Sequence, residues 1–206
     1  MIEYGPLIER LLAGDFICEI NDSDAHRRLS DDQLQEKLNH YLRPLNRRLA
    51  YNDEKSVYFL AYQELTQAAR DHLSSQFALT VQSLLPLLEW MQLIQETLGR
   101  DTALTAGDTL QLQEFILKTE DNHGLRQRFN QLATDRFFNS KSEALDLQVK
   151  LVFNRLKEHG YLIQPHSDRQ YYKITGKIDY LMDVIRFIRD EEQLPVADEP
   201  TQEELI

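Results

Sequence analysis

Twice in this chain a run with helical apolar spacing ends in a turn and gives way at once to two short β-rich segments, an order that few folds accommodate. The first instance is "LNRRLAYNDEKSVYFLAY", residues 45–62. Here Asn52 and Asp53 are turn formers, and Val57 to Tyr62 is rich in β-branched and aromatic residues. The second is "FNRLKEHGYLIQPHSDRQYYKIT", residues 153–175. Gly160 stops a helix predicted over Ser142 to His159, and Tyr161 to Gln164 pairs with Tyr171 to Thr175 across a polar turn.

The segments upstream of each hairpin also match in kind. Before the first lie a helix from about Tyr4 to Ala13 stopped by Gly14, a short strand in "FICEI", a short helix through "AHRRL", and a longer helix capped by Ser30 or Asp31. That last helix carries a stripe of Leu34, Leu38, Tyr41, Leu42, Leu45 and Leu49, and Pro44 should divide it near Arg43. Before the second hairpin lie a polar connector, Thr66 to Gln76, and a helix from about Ser83 to Leu98 with Pro86 in its first turn. A strand and turn in "TALTAGD" and helical pieces through "LQLQEFILKT" and "GLRQRFNQLA" follow. Repetition of order over this length is more informative than any single motif. It predicts a mainly α chain with small β-hairpins, of the α+β class: tandem winged-helix domains, a final helix, and an acidic disordered tail. The expected division is 1–65, a connector over 66–81, a second domain over 82–176, a helix over 177–190 and the tail over 191–206.

Charge decides which partners this frame can meet. The formal net charge is -11, yet Asp190 to Ile206 alone holds seven acidic residues and no basic one. From Asp121 to Arg189, twelve Lys and Arg stand against eight Asp and Glu, a local balance of +4. A basic region followed by an acidic segment does not veto nucleic acid. The single cysteine, Cys18, rules out an internal disulfide framework, and the glutamates of "MIEYGPLIERLLAG" sit where a secretory signal would be basic, so a cytoplasmic protein is expected. The most apolar stretch, "ALTVQSLLPLLEWMQLI", is interrupted by Gln82, Pro86, Glu89 and Gln92, which reads as a core helix and not a membrane span.

Catalytic patterns are missing. The sequence contains no G-x-S-x-G, P-loop or H-E-x-x-H, and its six histidines include no i, i+3 or i, i+4 pair able to hold a metal from one helix. These histidines read as solvated surface residues. No catalytic residue, cofactor or metal is expected, and an enzyme is set aside.

Candidate DNA-contacting residues sit in the second module. On the helix ending at His159, Leu145, Val149, Val152, Phe153 and Leu156 fall on one side, while Lys150, Asn154 and Lys157 fall opposite at i, i+4 and i+7. Arg155 lies at the edge, and the hairpin adds His166, Arg169 and Lys173. An outward helix face of this kind can enter a groove while the wing touches phosphate. Three polar residues on an exposed helix face are equally what any soluble helix carries. In the first module the strand residues Tyr58, Phe59 and Tyr62 place at least one ring on each face, so either a second copy covers the outer rings or they are ordinary core.

The chain resembles the MksE and MukE kite subunits of bacterial condensins. The likeness is carried by "YGPLIERLLAGDFICEI", "LRPLNRRLAY" and "VKLVFNRLKEHGYLIQPHSDRQYYKIT", with the final helix and acidic segment matching in kind. The resemblance implies a non-catalytic homodimer that binds an MksF/MukF-like kleisin and regulates an MksB/MukB-like SMC ATPase. It also implies weak contact with double-stranded DNA without sequence preference, made through Lys150, Asn154, Arg155, Lys157, Arg169 and Lys173. Chromosome organisation in the nucleoid is the implied purpose or, where a nuclease subunit is present, defence against plasmids. A free-standing winged-helix transcription regulator and a scaffold that never meets DNA are the alternatives.

Overall fold

The computed structural model describes residues 4–52 and 56–191. Its first unit begins with α1 (Gly5–Leu12), β1 (Ile17–Cys18), α2 (Ser23–Leu29) and α3 (Asp32–Leu42). A 3-10 turn, Arg43–Leu45, leads into β2 (Arg47–Tyr51) and β3 (Val57–Tyr62). Asp22 caps α2 by accepting from the Ala25 N–H, and Asp31 caps α3 through the Gln33 and Leu34 N–H groups. The α-helical run stops at Leu42 because Pro44 has no N–H to donate, and Asn46, at φ 54°, turns the chain into β2. The sheet is antiparallel in the order β1-β3-β2, with Leu49 opposite Leu60. Leu11, Leu29, Leu38, Leu42, Leu49 and Tyr58 fill the core beneath it.

The second unit starts with α4 (Gln67–Leu98), a 32-residue helix, ~48 Å long at ~1.5 Å per residue. It continues through β4 (Thr109–Gln111), α5 (Leu112–Glu120), α6 (His123–Thr134), α7 (Leu145–Glu158), β5 (Leu162–Ile163) and β6 (Tyr171–Ile174), and α8 (Lys177–Glu191) ends the described chain. The sheet order is β4-β6-β5, the same arrangement of first, last and middle strand as in the first unit. The helix, strand, helices and hairpin therefore recur, with α6 as an extra helix in the second copy. Phe153 of α7 is the hub of this core, its ring 6.2 Å from Trp90, 5.9 Å from Phe115 and 5.2 Å from Tyr172.

Several expected boundaries move. The connector and the helix after it are one helix, capped by Thr66 on the Ala69 N–H, since no glycine or proline interrupts residues 67–85. Ser83 does not cap; its hydroxyl donates to the Thr80 carbonyl, and Pro86 lies inside the helix. The interior proline costs about 3 kcal/mol, which the burial of Leu87, Trp90, Leu93 and Ile94 in the following turns offsets. By length, and by an 18-residue window of mean hydropathy 1.3, α4 does reach what a bilayer span requires. Its C-terminal half nevertheless belongs to the protein core. The strand expected in "TALTAGD" lies downstream at Thr109–Gln111, because Gly107, at φ 93°, makes 105–108 a turn. Helix α7 begins at Leu145 and not Ser142, whose hydroxyl accepts from the Ala144 N–H. Tyr41 and Leu45, expected in the core stripe, are half exposed. The acidic segment from 192 onward lies outside the described residues.

Candidate nucleic-acid interface

Helix α7 buries Leu145, Val149, Val152, Phe153 and Leu156 and leaves Lys150, Asn154, Arg155 and Lys157 exposed, as its 3.6-residue period dictates. Two of the cations have partners on the same helix. Lys150 Nζ lies 3.4 Å from Asp146, and Arg155 Nη1 2.9 Å from Glu158. Pairs of this exposure and spacing are worth about 0.3–0.5 kcal/mol, so a stronger anion displaces them. Among the described residues Lys157, Arg169 and Lys173 form no ion pair.

Gln164 joins the helix end to the hairpin. Its side-chain oxygen accepts from Lys157 Nζ at 3.4 Å, and its amide donates to the Arg169 carbonyl at 3.0 Å. Gln164 thus ties Lys157, at the end of α7, to the hairpin backbone at the exposed Arg169. Lys173 is not part of this link. Phe153 packs on Tyr172, so alternation along β6 turns Lys173 to the opposite sheet face, opposite Thr109 and Ile163 in register.

The aromatic strand of the first unit is occupied within the chain. Tyr58, expected at a dimer surface, is instead fully buried between His26 and Tyr51, because its position on β3 faces the unit's own helices. Phe59 packs on Phe16 at 5.3 Å and on Tyr180 at 4.9 Å. The Arg47 guanidinium lies over the Tyr62 ring, 3.6 Å from its centre. The outer rings are covered by α8 and Arg47.

Sequence reasoning missed the joint between the units. Gly176 donates its N–H to Cys18 Sγ at 3.3 Å, Asn52 Nδ2 lies 3.4 Å from Asp183, and Tyr180 closes on Phe16 at 4.9 Å. At its centre Lys177 Nζ donates to the His159 carbonyl at 2.8 Å and sits within 4.9 Å of the ring centres of Phe16 and Tyr161. Burial pushes the Lys177 ammonium below the usual lysine range and the Tyr161 phenol up to about 12. His159 is exposed, as expected, and stacks on Phe137 at 4.9 Å. Partial burial lowers its pKa, and Lys177 and Arg155 push the same way against Glu158. The available signal was Lys177 itself, a cation in the first turn of a helix, where the macrodipole disfavours it. Among the described residues no cluster of three or more His, Cys, Asp or Glu is placed to hold a metal ion.

Compared with known proteins, residues 4–186 match the family model for condensin complex protein MksE. No curated protein aligns significantly with the chain. The family match spans both units and most of α8. The chain belongs to the MksE family of condensin complex proteins.

Proposed function

We infer that this condensin subunit is a non-catalytic kite: two tandem winged-helix domains, 1–65 and 82–176, that bind a kleisin and modulate an SMC ATPase on DNA. The observation that carries the reading is the recurrence of helix, strand, helices and hairpin, with one strand order, in a chain of this family. In a winged helix α3 and α7 are the helices before the wing, and the β5-β6 turn is the wing. DNA contact then falls to Lys157 and Arg169, with Gln164 linking the Lys157 side chain to the hairpin backbone at Arg169, and to Lys150, Asn154 and Arg155 of α7. Lys173 plays no part in that surface. A homodimer would form through the first unit, where the exposed Tyr41 and Leu45 suit a second copy better than Tyr58 does. Such a complex works at the nucleoid in chromosome organisation and segregation, or with a nuclease partner in plasmid defence.

Coexpression with the kleisin and SMC subunits of the same source tests the assembly: the three should co-elute on size exclusion, and a chain that elutes alone refutes the kite. DNA retention by the assembled complex tests the surface. Lys157→Glu with Arg169→Glu should weaken it alike on all sequences and lower the slope of log K against log salt by about 0.9 for each phosphate no longer neutralised. Sequence-specific, palindromic binding by the isolated dimer at physiological salt would favour a transcription regulator instead.

A further inference from the structure

The joint around Lys177 opens into a cleft that nothing described so far uses. On one side is a cavity of about 700 Å³ lined by Arg136, His159 and Lys177, and on the other a cavity of about 800 Å³ walled by α4 and α8. Thr80, Tyr161 and Lys177 line both, so the two are one continuous groove.

The groove has two chemical characters. Along α4 and α8 it is apolar: Leu73 and Phe77 are 38% and 50% exposed, and Tyr180 and Val184 face them. No element of the described chain covers these side chains. Around the joint it is cationic. Arg70 donates only to the Leu65 carbonyl, Lys177 only to that of His159, and Arg136 to nothing, so among the described residues none of the three has an ion-paired carboxylate. Of the nearby acids, Asp15 pairs with Arg10 while lying close enough to favour the Lys177 ammonium, and Asp135 accepts from the Phe137 N–H. Its ligand should therefore carry carboxylates beside aliphatic side chains, and no cation.

One segment of this chain has that composition. Residues 192–206, "EQLPVADEPTQEELI", hold five carboxylates and no Lys or Arg, with Leu194, Val196, Leu205 and Ile206 set among them. The segment leaves from Glu191, the last described residue of α8, the helix that walls the groove. From Val184 to Glu191 is ~10 Å of helix, and fifteen residues reach up to ~50 Å. A tether this short places the segment at roughly millimolar effective concentration. We propose that the α4-α8 groove binds the chain's own segment 192–206, aliphatic side chains against Phe77 and Tyr180 and carboxylates toward Arg70, Arg136 and Lys177. Docked there, the segment neutralises the joint and competes with any outside polyanion or acidic peptide for it. The proposal is independent of kleisin or DNA binding.

The test is fluorescence anisotropy of a labelled peptide of residues 190–206 titrated with four proteins. Both cores lie within residues 7–181, so a chain ending at Glu191 keeps them. That shortened chain should bind the peptide at least ~10-fold more tightly than the full chain, whose own segment competes. A full chain with Leu194→Ser, Val196→Ser, Leu205→Ser and Ile206→Ser, its charge unchanged, should bind like the shortened chain. Arg70→Glu with Arg136→Glu, both exposed, should cost the shortened chain ~10-fold or more. Equal binding by full and shortened chains overturns the proposal. So does a serine variant that behaves like the full chain, since that outcome is long-range charge repulsion without docking. Crosslinks from the segment to a second copy that grow with concentration overturn it as well.

Discussion

Replacing Gly176 with alanine tests the joint between the two units at a single atom. A Cβ built there lies 2.9 Å from Cys18 Cβ, 3.4 Å from the Ser56 carbonyl oxygen and 3.5 Å from Val57 Cβ. The close neighbour is no flexible side-chain end: Cys18 is held in β1, paired with Val57, and cannot swing away. Two effects compete. Gly176 is not in the left-handed region, so alanine is allowed there and should gain about 0.4–1 kcal/mol by restricting the unfolded chain. Overpacking costs about 1–3 kcal/mol, and with a backbone-anchored neighbour on the far side it wins. The expected net loss is about 1–2 kcal/mol, a fall in Tm of about 2–8 °C for a chain of this size. Urea unfolding followed by far-UV circular dichroism and by the fluorescence of the single Trp90 reads it directly. Gly5→Ala is the control, since nothing lies within 4 Å of its Cβ and it begins α1, so it should be neutral or stabilising. A Gly176→Ala chain as stable as wild type, with the control behaving as stated, would refute the packing of α8 against β1.

Asp22→Ala removes both the α2 cap to Ala25 and the 2.6 Å ion pair to Arg10, and should cost about 1–2 kcal/mol in the same urea assay. Asp22→Asn keeps a capping oxygen and should recover most of that loss. His159 predicts a pH dependence. Its folded pKa lies below the unfolded 6.5, so the unfolded chain takes up the proton first. The stability linked to this residue is therefore full above pH 6.5 and lost as pH falls toward the folded pKa. His159→Gln should flatten unfolding free energy against pH below about 6.5, and an unchanged slope would count against the stack on Phe137.

The order of elements is legible in the sequence because strong local signals mark it: Asp31 as a cap, Pro44 as a stop, Gly14 and Gly160 at φ 94° and 77°, and a hairpin rich in β-branched and aromatic residues. Helix α4 reads as two pieces because its first half does not pack on a core. Leu73 and Phe77 face a groove, so the periodicity that betrays a core helix starts only near Leu87. Strand β4 escapes its true position because three residues with one buried side chain carry too little pattern. Sequence proximity groups Lys173 with α7, and only the face parity of β6 separates them. Tyr58 and Phe59 are adjacent and opposite in fate, since one faces its own unit's helices and the other meets Tyr180 of α8.

The local balance of +4 in the second unit invites the picture of a basic helix face, but the distribution of counter-charges argues otherwise. Lys150 and Arg155 each have a carboxylate within one turn of α7. Lys157, Arg169, Arg136 and Lys177 form no ion pair among the described residues, and they lie at the helix end, on the hairpin and in the joint. The positive potential is therefore displaced from the middle of α7 toward the place where α8 leaves the second unit for the first. Lys177 is the extreme case. A helix N-terminus and burial both disfavour its charge, while two aromatic faces, the His159 carbonyl and the nearby Asp15 carboxylate favour it. A cation kept against those costs, next to an apolar groove and at the root of an acidic segment, is where the chain's two opposite charge domains can meet.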